Sequence, residues 1–371
     1  MVRTRDQDAC PGALTVHQAA DGALVRVRLP GGMIAAYQLE ALAHAAAGLG
    51  SGTLEMTARG NLQLRGLTAT DAVAETIAKA GLLPSTTHER VRNIVASPLS
   101  GRVGGRGDLR GWVDKLDNAI QAEPELAALP GRFWFGIDDG RGDVSGLGAD
   151  VGVHLLEDSV ALLLAGRDTG VRLEPEITVR TMVSVAKSFA RIREKAWRIA
   201  ELADTNALLE TLTVSTAPGG TWPPVTRAPV GWIHQVDGRV ALGAAVPLGV
   251  LSARVAEYLA ATGAPLVITP WRSVLVCDLD EGAADVALRV LAPMGLVFDE
   301  NSPWLSVSAC TGSPGCEHSA ADVRADAARA AGTASDTHRH FVGCERACGS
   351  PPAGEVLVAT GDGYRLRGEH P

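Results

Sequence analysis

Four of the chain's six cysteines lie in its last sixty-two residues, spaced Cys310-x5-Cys316 and Cys344-x3-Cys348. Paired thiolates from two short segments are the ligand pattern of an iron–sulfur centre, and four of them suffice for one [4Fe-4S] cubane. Glycine and proline surround both pairs, as in Cys310-Thr-Gly-Ser-Pro-Gly-Cys316 and Gly343-Cys344-Glu-Arg-Ala-Cys348-Gly349, so the backbone can turn tightly and aim N–H groups at the sulfurs. A structural zinc site normally pairs its cysteines two to four residues apart, which the five-residue gap does not match. Disulfides need an exported chain, and Met1-Val-Arg-Thr-Arg-Asp-Gln-Asp8 has no apolar signal-peptide core. Zinc and disulfides remain the competing readings. Cys10 and Cys277 stand alone and read as small buried or tolerated residues.

The elements that must carry these cysteines come as a repeat. Ala23-Leu-Val-Arg-Val-Arg-Leu29 alternates as a half-buried strand does, and Pro30-Gly-Gly32 opens an Ala-rich helix. Two strands follow, over 53–57 and 61–65, and a second helix runs from about Asp71 to Ala80. The order β-α-β-β-α returns downstream, with a strand over 239–246, a turn at Pro247-Leu-Gly249, a helix over 250–261, strands over 265–269 and 273–279, and a helix over 282–291. Leu54-Glu-Met-Thr57 aligns with Leu266-Val-Ile-Thr269, and Leu62, Leu64 and Leu67 align with Val274, Val276 and Leu279, all at an offset of 212 residues. A strand-like bridge follows each copy, at 92–98 and 305–310, and the same offset sets Pro98 opposite Cys310. The fold class expected is α+β, with duplicated ferredoxin-like half-domains about a pseudo-twofold axis. The expected boundaries are 1–86 and 229–300 for the half-domains, 87–228 for a domain without cluster cysteines, and 301–371 for a short domain that holds them. Thr181 to Leu202 reads as a packing helix within the second of these segments.

Net charge of −8 and a sequence pI of about 5.6 give no reason to expect nucleic acid or an anionic membrane as partner. No stretch reaches the ~20 apolar residues of a membrane span; the run from Met33 to Ala47 is interrupted by Glu40 and His44. A cytoplasmic protein is expected. Within this acidic chain Arg90, Arg92, Arg102, Arg106 and Arg110 crowd between His88 and Trp112, with Arg59 and Arg65 upstream and Arg132 after Leu129-Pro130-Gly131. Arginine pairs with carboxylates through two parallel hydrogen bonds, so the group suits a polyanionic ligand, although any one of these residues alone is also an ordinary solvated arginine. No G-x-G-x-x-G follows a strand and no Walker A motif is present, so electrons must come from a partner. Arg106-Gly-Asp108 and Arg141-Gly-Asp143 are turn composition.

Thr57-Ala-Arg59-Gly60-Asn61-Leu-Gln63, Arg92-Asn93-Ile-Val-Ala-Ser-Pro98, Leu129-Pro130-Gly131-Arg132-Phe133 and the cysteine quartet together resemble the siroheme nitrite and sulfite reductase superfamily over nearly the whole chain. Within it, Ala9-Cys10-Pro11-Gly12, the block at 59–66 and Thr269-Pro270-Trp271-Arg272 resemble the precorrin-3B synthase branch of aerobic cobalamin biosynthesis. The resemblance implies two nitrite/sulfite-reductase-type α/β domains beside the half-domains. It also implies that Cys310, Cys316, Cys344 and Cys348 hold a [4Fe-4S] cluster and that Arg59, Gln63, Arg92, Asn93 and Arg132 bind substrate. The chain departs from the reductases where they carry two lysines one residue apart after the Leu-Pro turn; here the positions are Arg132 and Trp134. An indole removes a charge and a general acid that repeated protonation of a small oxyanion needs, and offers an aromatic wall to a macrocycle instead. The tetrapyrrole is then the substrate, where the reductases hold siroheme as cofactor.

The reaction implied is oxygen-dependent hydroxylation of precorrin-3A at C20 with γ-lactone closure to precorrin-3B. Arginines would fix the orientation of peripheral carboxylates, and the cluster would pass single electrons from an external donor protein or an NADH-linked reductase. Activation of dioxygen leaves room for a separate mononuclear non-haem iron, with His318, His338 and His340 the nearest candidates, but no 2-His-1-carboxylate spacing assigns one. No side chain is singled out as catalytic. Two rival readings stand: a siroheme-dependent ferredoxin-type nitrite or sulfite reductase, which would purify with siroheme, and a cluster-carrying electron-transfer protein, which needs no arginine-lined repeat.

Overall fold

A computed structural model describes residues 8–333, 335 and 337–368; residues 1–7, read above for a signal-peptide core, lie outside it. The chain divides into two compact units. One holds the described residues up to Thr15, Arg28–Gly32 and Leu83–Val225, and the other holds Val16–Val27, Met33–Leu82 and the chain from Thr226 onward.

The first half-domain copy forms β1 (His17–Ala19), β2 (Gly22–Val27), β3 (Met33–Ile34), α1 (Ala36–Leu49), β4 (Thr53–Met56), β5 (Leu62–Leu67) and α2 (Thr70–Lys79). Alternation along the strands sends Val25, Val27, Leu54, Leu62 and Leu64 inward, where Leu39 and Leu42 of α1 and Ile77 of α2 meet them, all fully buried. The Gln38 side chain begins α1, its Oε1 accepting from the Ala35 N–H at 3.0 Å.

The unit without cluster cysteines folds as β6 (Ile94–Ala96), α3 (Arg110–Ala122), β7 (Phe135–Asp138), β8 (Val151–Leu155), β9 (Val160–Leu164), β10 (Arg167–Leu173) and α4 (Pro175–Ile192). Its sheet runs β10-β9-β8-β7-β6, with β6, β7 and β8 parallel and the last two strands antiparallel. Every residue of Val160-Ala-Leu-Leu-Leu164 is buried, the unbroken apolar run of a central strand covered on both faces. Phe189 of α4 stacks on Phe133 with ring centroids 5.0 Å apart. The helix expected over Thr181 to Leu202 starts earlier, with Pro175 in its first turn, and stops at Ile192. Glu194 takes a left-handed φ of 46°, and Asp150 then captures the Arg198 guanidinium and the Ile199 N–H, drawing the chain out of the helix.

The second copy gives β11 (Gly231–His234), β12 (Val240–Ala245), β13 (Val250–Ser252), α5 (Ala253–Ala260), β14 (Leu266–Ile268), β15 (Ser273–Leu279) and α6 (Glu281–Leu291). Pro30 corresponds to Pro247, 217 residues on, whereas Leu54 corresponds to Leu266, 212 residues on. The helix is six residues shorter in the second copy, 14 in α1 against 8 in α5, and the stretch from helix end to that leucine is one residue longer. The copies exchange a strand: β13 pairs with β4, Leu251 opposite Leu54, and β3 pairs with β14, Met33 opposite Val267. The two sheets are therefore β1-β2-β5-β4-β13 and β11-β12-β15-β14-β3, each closed by the other copy. The duplicated half-domains read from the repeat are present.

The C-terminal segment repeats the layout of the other unit in reduced form, as β16 (Val307–Ala309), α7 (Val323–Ala330), β17 (Arg339–Val342), β18 (Glu355–Thr360) and β19 (Gly363–Leu366). Again three parallel strands are followed by an antiparallel one, with a helix between the first two. The registers correct one expectation. Ala96 pairs with Ile137 and Ala309 with Phe341; the next residue donates its N–H back to the same partner, Ser97 to Ile137 O at 3.0 Å and Cys310 to Phe341 O at 2.9 Å. Ser97, not Pro98, is thus the counterpart of Cys310, because the offset here is one residue longer than in the half-domains.

Candidate functional site

Cys310 leaves the end of β16, and Cys344 stands two residues beyond β17, its parallel neighbour, so both cysteine loops spring from one edge of the sheet. The Gly343 N–H donates to the Cys310 sulfur at 3.3 Å. Ala347 and Gly349 on either side of Cys348 have left-handed φ values of 47° and 75°, which fold the backbone around that sulfur. All four thiols are free of disulfides. Burial pushes the Cys310 thiol up, amide N–H groups pull it down, and the neighbouring Cys316 and Cys344 push it up again. Mutually repelling thiols on tight, N–H-rich loops are a donor set that suits the positive iron core of a cluster. Among the described residues no three of these sulfurs lie within 4.8 Å of one another, whereas Zn–S bonds near ~2.3 Å would gather them more closely.

Arginines tie the first cysteine loop and α7 to the first half-domain. Arg65 on β5 is buried and donates to Gly315 O at 2.7 Å, inside the first loop, while its fork takes both Asp21 carboxylate oxygens at 2.9 and 2.8 Å. Burial opposes its charge, but the Asp21 hydrogen bonds and the nearby Glu55 more than offset that and hold its pKa above the usual arginine range. Glu55, buried on β4, also accepts from Arg324 of α7 and from Gln63 at 3.2 Å, and Gln63 accepts in turn from Arg26. Gln63 is therefore engaged in a cross-strand chain. Arg59 lies half-buried at the β4–β5 turn, with its N–H on Thr57 Oγ1 at 3.3 Å.

Beneath the second loop runs a buried polar chain. The Ser308 hydroxyl lies 2.7 Å from His338 Nε2 and 2.7 Å from His340 Nδ1, and His340 Nε2 meets Cys348 O at 3.0 Å. Burial and the Arg272 charge push His340 down to about 3, so the ring is neutral. It must then donate from Nε2 to the Cys348 carbonyl, accept at Nδ1 from Ser308, and leave Ser308 to accept from His338 Nε2. His338 Nδ1 lies 3.3 Å from Leu305 O, the longest contact of the four. His318 lies partly exposed, 3.3 Å from Glu317. Among the described residues none of these histidines joins a close group of metal-ligating atoms.

In the other unit, Arg92 is buried and its fork is filled by Asp117, both bonds at 2.7 Å. Asn93 donates to three backbone carbonyls, Arg90 O, Gly131 O and Phe133 O, and so fixes the Leu-Pro turn. Arg132 is exposed, its guanidinium 5.5 Å from the Trp197 ring centre. The aromatic wall expected of Trp134 is not formed: its indole is buried among Val95, Val144 and Ala149, and the aromatic partner of Arg132 is Trp197. Cys10 accepts from Arg28 at 3.4 Å, and Cys277 is fully buried. Sequence reasoning passed over Asp138, Asp139 and Asp143, whose carboxylates come within 4.8 Å of one another just past β7. They have internal partners: Asp138 takes the N–H groups of Gly140, Gly142, Val144 and Ser145, Asp139 pairs with Arg141, and Asp143 accepts from Ser97 Oγ at 2.6 Å. Arg141-Gly-Asp143, read as turn composition, is part of this nest.

Residues 17–78 match the nitrite/sulfite reductase ferredoxin-like half domain. The chain is 28% identical to a precorrin-3B synthase from Sinorhizobium sp over 391 aligned positions, covering 98% of this chain and 83% of that protein. It is also 28% identical to a ferredoxin–nitrite reductase from Leptolyngbya laminosa, but over 52% of this chain and 37% of the relative. The structure of the NirA protein of Mycobacterium tuberculosis superposes with a TM-score of 0.78 at 17% identity, over 93% of this chain and 74% of that one. The resemblance to the nitrite and sulfite reductase superfamily, and the α+β fold drawn from it, are borne out.

Proposed function

We propose that this chain, built on the half-domain and fold of the nitrite and sulfite reductase superfamily, is an oxidoreductase that converts precorrin-3A to precorrin-3B. The observation that carries this reading is the extent of similarity: it runs along 98% of the chain for the precorrin-3B synthase, against about half for the nitrite reductase. The reaction places one oxygen atom of dioxygen on C20 of the macrocycle and releases the other as water. Two electrons and two protons come from an external donor protein or an NADH-linked reductase. The ring-A acetate then adds through its carboxyl oxygen to a ring carbon as the double bond there opens, its proton going to the other end of that bond, and so closes a γ-lactone.

Cys310, Cys316, Cys344 and Cys348 would hold a [4Fe-4S] cluster, which when bound supplies single electrons. Arg65 fixes the loop between Cys310 and Cys316, and Arg324 anchors α7, which follows it. Arg59, at a turn tip of the same unit, holds a substrate carboxylate by a charge-assisted bond, with Gln63 keeping its strand in place. In the other unit Arg132 has an exposed head, Asn93 fixes the Leu-Pro turn that carries it, and Arg92 is taken up by Asp117. A mononuclear non-haem iron would supply oxygen activation; no described residue is assigned to it.

The test is anaerobic purification followed by absorption spectroscopy, and then incubation with precorrin-3A, a reductant and isotopically labelled dioxygen. A cluster shoulder without haem-type bands and one labelled oxygen in the product support the reading. Sharp siroheme bands together with nitrite or sulfite turnover would replace it with the reductase alternative.

A further inference from the structure

Arg272 occupies a position that its own sequence repeat assigns to glycine. In the first copy the turn after β4 is closed by the Thr57 N–H on Asn61 O at 2.9 Å and the Gly60 N–H on Thr57 O at 3.1 Å. In the second the same bonds run from Thr269 to Ser273 O at 2.9 Å and from Arg272 to Thr269 O at 3.3 Å. The equivalent residues are both left-handed, with φ of 66° for Gly60 and 56° for Arg272. Glycine adopts that conformation without penalty and arginine does not, so surrounding contacts must hold Arg272 there.

Those contacts lead to the cysteines. The side chain passes between two glycines whose Cβ atoms, if present, would lie 2.7 Å from it: Gly249 against Cδ and Gly349 against Nη2. Nη2 donates to Gly349 O at 2.8 Å, one residue past Cys348. Arg272 makes no salt bridge among the described residues, although the fields of Cys310 and Glu55 reach it. Glu55 is already paired with Arg324 and lies 3.9 Å from Arg65, and Asp21 is paired with Arg65. Arg65, Arg324 and Arg272 thus share the two carboxylates Asp21 and Glu55, and Arg272 is the one left without an ion pair to them. Burial, followed by the Arg324 field, pulls Arg272 down to about 10, as happens to a cation that lacks an anion.

We propose that the missing anion is the iron–sulfur cluster, and that Arg272 is the positioning residue that stabilises its reduced, more negative state and raises its reduction potential. This rests on the cluster assignment above. A unit charge on the order of 10 Å from the cluster, at an effective dielectric near ~20, changes the reduced-to-oxidised ratio by about tenfold.

The experiment compares full-length wild type, Arg272→Gly and Arg272→Lys, purified anaerobically. It measures iron and acid-labile sulfide, the electron paramagnetic resonance signal after dithionite, and the midpoint by mediated redox titration. Glycine suits the left-handed backbone, so Arg272→Gly is expected to fold and keep its cluster while losing about tenfold in the reduced-to-oxidised ratio, equivalent to about 59 mV for one electron. Arg272→Lys is expected to stay within about threefold of wild type, since it keeps the charge. A cluster-bearing Arg272→Gly with an unchanged midpoint overturns the proposal, as does an equal loss in the lysine variant. If Arg272→Gly holds no cluster, Arg272→Gln, which keeps a donor for Gly349 and drops the charge, must show the same tenfold loss. Cluster loss from both neutral variants with retention in Arg272→Lys supports the charge requirement, and loss from all three makes Arg272 loop scaffolding and overturns it. Absence of iron and sulfide from the wild type sinks the cluster assignment itself.

Discussion

Replacing Arg65 with methionine should loosen the first cysteine loop while leaving every proposed cluster ligand in place. Arg65 makes two bonds to the Asp21 carboxylate and one to the Gly315 carbonyl, and it lies 3.9 Å from buried Glu55. Hydrogen bonds to charged groups contribute about 1.5–3 kcal/mol each. The Asp21 side chain is 31% exposed and can rehydrate, which moves its share toward the ~0–1 kcal/mol of a surface pair. Glu55 keeps Arg324 and Gln63, so it is not stranded. The Gly315 carbonyl has no such reserve. The net expectation is a loss of about 3 kcal/mol, near the low end for breaking a buried ion pair. Urea unfolding followed by tryptophan fluorescence measures the stability, and iron and sulfide retained after gel filtration measure the loop. Unfolding at the wild-type midpoint with full iron content would show that the Arg65–Gly315 bond does not hold the loop, and the argument that arginines position the cysteines would fail.

Cys344→Ser should lose cluster iron and sulfide and destabilise the C-terminal sheet; full retention of both would remove Cys344 from the ligand set. Arg59→Ala should weaken precorrin-3A binding by about 1.5–3 kcal/mol with the cluster spectrum unchanged. Arg92→Ala, by contrast, should act on stability, because it leaves the Asp117 carboxylate without its fork; equal binding losses in both variants would contradict that division. Burial and the Asp138 charge push the Asp143 carboxyl up to about 7. Its folded pKa lies above the unfolded value, so the native state holds the proton more tightly and stability falls as pH rises from about 4 to about 7. Asp143→Asn should flatten that fall, and parallel pH dependences of urea midpoint in variant and wild type would refute the assignment.

The half-domains were legible because alternation and helical spacing repeat at matching distances, and Leu54 and Leu266 do the same work in both copies. The cysteine ligand pattern was legible as spacing alone. Strand exchange was not, since Met33-Ile34 and Val250-Leu-Ser252 are too short to show a period and their partners are distant. The one-residue slip from Pro98 to Ser97 could be read only from ladder registers. Trp134 illustrates a different limit: an aromatic two residues after a turn can face in or out, and here the Asp150 carboxylate holds its main-chain N–H while Val95, Val144 and Ala149 enclose the ring. Arg272 was quoted as part of Thr269-Pro270-Trp271-Arg272, but its meaning lies in a backbone angle that spacing does not encode. Arg92 looked like a free cation until Asp117, one α3 helix away, filled its fork.

The exchanged strands bear on how such a chain is made. β4 waits for a neighbour that is translated almost two hundred residues later, when β13 emerges to pair Leu251 with Leu54. Until then the nascent first sheet carries an open edge with free N–H and C=O groups, the kind of surface that recruits other chains. Synthesis at ~5–20 residues per second leaves that edge exposed for on the order of ten seconds or more. A chain that ends before residue 250 would leave the first half-domain without its closing strand, and a fragment that holds one copy alone would lack the strand the other supplies. The two copies descend along one polypeptide as a single folding commitment, because each sheet is complete only with the other copy's ribbon.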